Sequence, residues 1–370
     1  MFVTIVVFLL ILSLLVLVHE AGHFFVAKFF KIKVEEFGFG LPPRVFGKKF
    51  GETLYSINWL PIGGFVKLYG EDEAGSGTVS LKPQKFSKKD LDRAYFSRPK
   101  WQKALVVSAG VIMNFILAVV IISYLFSAVG VPTPTSKVFV SQVIKDAPAD
   151  RAGLKVGDLL EEVNGKKITT TIDVVETARQ NLGKTIDLKI KAKNGKEEVL
   201  KLTPRKEYPK NQGPMGVAIE QEVITKKYPW YEAPFVGTKE ALKETWMIAS
   251  GLGILVGQLV TKGAVPQDVA GPVGIAQLTG RVVDIGPFAV LSFISLLSLN
   301  LAIINILPIP ALDGGRLFFI VWEAVTRKKV DPKIEGIAHT IGMAILLGLI
   351  ALITLHDLFR IFTGQPILPK

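Results

Sequence analysis

Four long apolar runs constrain this chain more than any other feature: Phe2–Phe30, Lys103–Val129, Pro287–Leu307 and Gly336–His356. Each is long enough to cross about 30 Å of hydrocarbon, which takes roughly 20 helical residues. Within a bilayer every backbone polar group must be satisfied inside the protein, so such runs fold as helices. The expectation is a polytopic α-helical membrane protein with four transmembrane helices. A cleaved signal peptide fits the first run poorly, because no Lys or Arg precedes Lys28 and the apolar stretch is too long.

Composition removes several function classes. Hydrophobic residues make up 49% of the chain and charged residues 21%, too apolar for a disordered or collagen-like chain. The absence of cysteine excludes disulfide scaffolds, thiolate metal sites and cysteine nucleophiles. Only His19, His23, His339 and His356 are available as imidazole ligands. The net charge of +12 is read as membrane orientation, with no nucleic-acid partner expected. Lys28, Lys31, Lys33, Arg44, Lys48 and Lys49 follow the first run, while Arg98, Lys100 and Lys103 lead into the second. Arg316, Arg327, Lys328, Lys329 and Lys333 lie between the third and fourth. Both loops are expected in the cytoplasm, which places both termini and Gly130–Gly286 outside.

The chain divides accordingly. Residues 1–33 hold the first span and 103–129 the second. Residues 34–70 alternate in strand fashion between turn signals such as Gly38-Phe39-Gly40, Pro42-Pro43 and Pro61-Ile62-Gly63-Gly64. Tyr55–Trp59 and Phe65–Tyr69 read there as two strands paired with each other. This segment is too apolar for a solvated loop and is expected to dip into the bilayer. Residues 71–102 form a charge-mixed cytoplasmic linker. Residues 135–220 read as a compact α+β domain with strands at Leu159–Val163, Thr185–Lys193 and Glu197–Leu202, a helix at Ile172–Gln180 and a closing strand at Met215-Gly216-Val217. Its Ala152-Gly153-Leu154-Lys155-Val156-Gly157-Asp158 and Val163-Asn164-Gly165 resemble the signatures of a bacterial PDZ domain. Residues 228–286 are amphipathic and extracytoplasmic, 287–315 carry the third span and 336–358 the fourth.

The chemistry centres on His19-Glu20-Ala21-Gly22-His23, an H-E-x-x-H pattern inside a membrane span. Residues i and i+4 share a helix face, so both imidazoles reach one zinc, and Glu20 beside them can take a proton from water. A charge at the centre of a span costs roughly 2.5–3.5 kcal/mol, and a metal supplies the compensating partner. Two histidines leave the site open. About 290 residues on, Asn305-Ile306-Leu307-Pro308-Ile309-Pro310-Ala311-Leu312-Asp313-Gly314-Gly315 breaks the third span with two prolines. Asp313 there is either a third ligand or a cap at a cytoplasmic helix end.

H-E-x-x-H in the first span with N-x-x-P-x-P-x-L-D-G in the third resembles the site-2 protease family of intramembrane zinc metalloproteases. The inserted PDZ-like segment resembles the bacterial regulators of sigma-E-type proteolysis. Gly38-Phe39-Gly40 and Pro61–Lys67 resemble the family's membrane-re-entrant β-loop. The resemblance implies one zinc per chain held by His19, His23 and Asp313, Glu20 as the catalytic glutamate and Asn305 as a substrate-positioning residue. It implies cleavage of single-span membrane proteins, such as anti-sigma factors or remnant signal peptides, in the bacterial cytoplasmic membrane, with lipid as the surrounding partner. The sequence departs from the family in two places: Ala109-Gly110-Val111-Ile112-Met113-Asn114 lacks the proline usual before the asparagine of the second span, and one PDZ module is present where some members have two. Asn114 is thus either functional or helix-packing glue. His339 and His356 read as packing or interfacial residues, and Gly271-Pro272-Val273-Gly274-Ile275 matches a family segment without a chemical role. Two rival readings are a PDZ scaffold with a dead metal site, which needs no Glu20, and a zinc permease, which needs more ligand sets than four histidines supply. Because His19 is 17 residues beyond Phe2, the zinc is expected roughly 26 Å along the first helix, toward the cytoplasmic side.

Overall fold

The computed structural model describes residues 2–71, 91–209, 212–262 and 271–363. Most of the expected linker (72–90) and residues 263–270 of the expected amphipathic region lie outside the described residues. The chain forms two compact units, Gly130–Tyr228 and the remainder.

In the larger unit, α1 (Phe2–Phe29) is one uninterrupted helix, followed by β1 (Val34–Phe50) and β2 (Thr53–Leu68). α2 (Lys100–Ala128) starts three residues before the expected span, because Pro99 supplies a fixed φ just ahead of the first turn. Among the described residues, four helices are long and apolar enough to cross a membrane: α1, α2 and, later in the chain, segments at Pro287–Ile306 and Lys333–Phe362. The first two pack closely because small residues face each other; a Cβ on Gly22 would collide with the Ala109 carbonyl. Ile11 and Leu15 of α1, Ile121 and Leu125 of α2, and Ile294 form one buried cluster.

The β-loop differs from the sequence expectation. Residues 36–39 pair with 64–67 on one side and with 54–57 on the other, while 46–50 pair with 53–57. Tyr55–Trp59 and Phe65–Leu68 therefore belong to one strand, β2, and do not pair with each other; each flanks β1. Side-chain alternation reveals strand character but carries no information on which strand is the neighbour. Residues 64–68 form one edge of this sheet and 46–50 the other.

The smaller unit contains β3 (Val131–Val143), the short α3 (Pro148–Arg151), β4 (Leu159–Val163), β5 (Lys166–Lys167), α4 (Thr171–Gln180), β6 (Ile186–Lys191), β7 (Glu197–Leu202) and β8 (Val217–Lys226). The strand order is β7-β6-β4-β3-β8, with β5 on β4. Ile186, Leu188 and Ile190 alternate inward along β6 onto Val138, Val140, Leu160 and Val174. α4 begins with a capping box between Thr170 and Asp173. The closing strand starts at Val217, after Met215 and Gly216, and runs well past 220 along β3.

The larger unit resumes with α5 (Ala233–Lys262), α6 (Pro272–Ile285), α7 (Pro287–Ile306), α8 (Asp313–Thr326) and α9 (Pro332–Phe362). The apolar run expected over Pro287–Leu307 is α7, which ends at Ile306, and within the broader 287–315 segment Asp313 opens a separate helix. Pro308 and Pro310 lack the N–H groups that would continue α7. α8 itself goes unforeseen, because its charges read as a loop. The Gly271-Pro272-Val273-Gly274 segment gains a structural role: Gly271 N–H and Gly274 N–H donate to the buried Asp357 Oδ2 of α9 at 3.0 and 2.8 Å. This carboxylate satisfies donors at the α6 N-terminus that have no intrahelical partner.

Candidate metal and catalytic site

α1 presents His19 and His23 on one face, and the turn after α7 brings Asp313 to them. His19 Nε2 lies 2.9 Å from Asp313 Oδ2, His23 Nε2 lies 3.3 Å from the same oxygen, and the two Nε2 atoms are 3.3 Å apart. Among the described residues these three form the one group of ligand atoms close enough to share an ion. Ligands about 2.0–2.1 Å from a tetrahedral zinc stand roughly 3.3 Å from one another, so the set has the span the ion requires.

The hydrogen bonding favours a cation there. His23 Nδ1 faces the Val106 carbonyl at 2.7 Å, so Nδ1 carries the proton and Nε2 presents a lone pair. His19 Nδ1 lies 3.2 Å from Asn114 Nδ2, and the oxygen and nitrogen of an amide exchange places on a half-turn. An amide turned with its oxygen toward the ring accepts the Nδ1 proton, and Asn114 Oδ1 is otherwise a buried atom without a partner. Two imidazole lone pairs then converge on Asp313 Oδ2, itself buried without a hydrogen-bond donor. Three converging lone pairs in a site largely shielded from water need a positive ion, which these residues fit.

Glycines make the room. A Cβ on Gly110 would stand 2.5 Å from His23 Nε2 and 2.7 Å from His19 Nε2. Cβ atoms on Gly314 and Gly315 would collide with the carbonyls of Ile306 and Ile309, so the tight approach of α8 to the end of α7 depends on both. Ala311, two residues before Asp313, holds a left-handed backbone (φ 83°). Its N–H donates to His339 Nδ1 of α9 at 2.9 Å. His339, read from sequence as packing, thus fixes the loop carrying Asp313. Its spacing in the chain carries no sign of this.

A cavity of about 240 Å³ adjoins the cluster, lined among others by Glu20, His23, Asp313, Gly64, Phe65 and Val66. The catalytic candidate Glu20 and the edge of the β-loop therefore face one space. Asn305 Nδ2 lies 3.5 Å from His19 Nε2, within reach of anything bound at the cluster. His356 joins no such ligand group among the described residues.

Peptidase family M50 matches residues 7–349. The chain belongs to that family. A Clostridium acetobutylicum relative is 34% identical over 356 residues, covering 96% of this chain and 97% of its own. The regulator of sigma-W protease RasP of Bacillus subtilis is 30% identical over 431 residues, covering 97% and 99% of the two chains. The zinc metalloprotease RasP of Geobacillus kaustophilus is 30% identical over 427 residues, covering 97% and 98%. A solved PDZ domain of the SdrC-like protein of Listeria innocua is 23% identical, with a TM-score of 0.21, and covers 23% of this chain and 96% of that one. The family expected from the paired motifs is the family found. The M50 chain is a membrane zinc metalloendopeptidase of the site-2 type, and neither the scaffold nor the permease reading is needed.

Proposed function

We propose that this peptidase hydrolyses peptide bonds within the membrane segments of single-span proteins, with His19, His23 and Asp313 holding zinc and Glu20 as general base. The observation carrying the reading is the convergence of three ligand atoms, 2.9–3.3 Å apart, beside a cavity that Glu20 lines. Zinc, when bound, supplies Lewis acidity toward a carbonyl oxygen and acidifies water. The chain's own residues supply the rest. Val106 and Asn114 hold the two imidazoles in the tautomer that leaves Nε2 free. Glu20 accepts the proton of the attacking water and returns it to the leaving amine. Asn305 offers its side-chain amide to the substrate near His19.

A helical substrate hides its peptide bonds in internal hydrogen bonds, so it must be extended before attack. The edge strand 64–68 supports that step, since an extended segment adds to a sheet edge through its backbone. The Lys/Arg distribution supports a cytoplasmic β-loop with both termini and the PDZ-like unit outside. The name of the Bacillus subtilis relative, a regulator of sigma-W protease, supports a part in sigma-factor control; anti-sigma factors and remnant signal peptides share the required single apolar segment.

Glu20→Gln tests the base: cleavage of a single-span substrate in detergent should stop while zinc content stays at one per chain. Cleavage at the native rate would remove Glu20 from the mechanism.

A further inference from the structure

We propose that the buried Glu71–Arg316 ion pair is a register stop for the substrate strand and so selects which peptide bond is cut. The inference deepens the proposed function and rests on its reading of residues 64–68 as the substrate-binding edge.

The backbone of that edge alternates in direction. Tyr69 N–H donates to the Lys33 carbonyl at 2.9 Å, back toward the chain that enters β1. Leu68 N–H, one residue earlier, points the opposite way and donates to Glu71 Oε2 at 3.3 Å. By the two-residue period of a strand, the N–H and C=O groups of Val66 and Gly64 share the outward direction of Leu68. An incoming strand therefore finds ladder positions at 64 and 66. At 68 the donor is already taken by a carboxylate, which repels a further carbonyl.

Glu71 is held in place from the other side of the site. Its Oε1 accepts from Arg316 Nη1. Both side chains are mostly buried and both line the cavity that Glu20 and Asp313 share. Arg316 stands one turn after Asp313 on α8, so the stop and the third ligand candidate ride on the same helix. The pair ties the end of the ladder to the position of the hydrolytic centre. An added strand that ends at Val66 presents one bond to that centre. A strand free to slide moves in steps of two residues, because a one-residue slip would turn every side chain to the wrong face.

The test uses the full zinc-loaded chain in detergent and a purified single-span substrate that the native enzyme cuts at one dominant bond, with products read by mass spectrometry. Removing Glu71 alone would leave Arg316 buried and unpaired, so the informative variant is the double substitution Glu71→Ala with Arg316→Met, which removes both charges. The expected result is a second product displaced by two residues, reaching about half of the total, at unchanged zinc content and helical signal. Val66→Pro, which deletes an outward N–H, is the companion variant. One dominant native bond in the double variant, with Val66→Pro folded, zinc-loaded and inactive, overturns the register stop while leaving strand addition standing. Native cleavage by Val66→Pro overturns strand addition itself, and the stop with it.

Discussion

Replacing Gly110 by alanine tests the metal site through a residue that donates nothing to it. The added methyl carbon would stand 2.5 Å from His23 Nε2, 2.6 Å from His19 Cε1 and 2.7 Å from His19 Nε2. Carbon contacts are comfortable at about 3.5–4.0 Å, so the rings must retreat by about 1 Å. Metal–ligand bonds tolerate only about ±0.2 Å. Backing α2 away instead breaks the Val106 and Asn114 contacts that orient the rings. Overpacking of this kind costs about 1–3 kcal/mol. If the strain falls on the zinc-bound state, affinity drops roughly 5- to 150-fold, at 1.4 kcal/mol per factor of ten. Competition with a chelator on the purified protein measures this, with helical circular dichroism as the fold control. Gly348→Ala on α9 is the matched control, since a Cβ there meets nothing within 4 Å. Native zinc affinity in Gly110→Ala would refute the placement of the two imidazoles against α2.

Asp313→Asn should lower zinc affinity by more than the roughly 10- to 100-fold typical of residues that only orient a ligand, and cleavage with it; unchanged zinc content would move the third ligand elsewhere. In the isolated 130–228 unit, backbone hydrogen bonds from Thr169 and Thr170, together with the Thr169 hydroxyl, hold Asp173 down at about 2. A depressed carboxylate stabilises the fold above its unfolded value near 3.9 and loses that contribution as pH falls toward 2. Asp173→Asn should therefore melt earlier than native at pH 7, with the gap closing between pH 4 and 2; a gap that widens on acidification would contradict the cap. A cysteine introduced at the exposed Asn194 of this cysteine-free chain should react with an impermeant thiol reagent on intact cells, and protection there would invert the orientation.

Sequence is legible where the physics is local. The apolar runs show as spans because the bilayer leaves a chain little choice. His19 and His23 read as a pair because four residues bring a helix back to one face. The prolines at 308 and 310 announce a break but not the helix beyond it: Gly314 and Gly315 look like loop residues, yet they open α8 because only glycine fits against the Ile306 and Ile309 carbonyls. The β-loop is misread for a related reason, since strand partners are chosen by distant contacts. His339 and Asp357 are invisible as well. Each binds backbone N–H groups more than twenty residues away, which no spacing rule records.

Asn114 shows how an ambiguous residue acquires meaning from its neighbours. Without the expected proline, its motif leaves packing and function equally open. In the structure, Val106, Gly110 and Asn114 recur every four residues and so share one face of α2, turned toward α1. Val106 offers a carbonyl to His23, Gly110 leaves the space the imidazoles occupy, and Asn114 meets His19. The Asn114 carbonyl in turn accepts from Ser298 of α7 at 2.8 Å, tying the same stripe to the helix that delivers Asn305. α2 adds no side chain to the His19, His23 and Asp313 cluster, but it is the mould against which α1 sets its two imidazoles. A proline at 111 is dispensable to this arrangement, because the three contacts come from positions before and after it. The departure from the family pattern therefore leaves the site's geometry intact. It also joins packing and function at Asn114 in one place: the side chain that fills the helix interface is the one that meets His19 Nδ1.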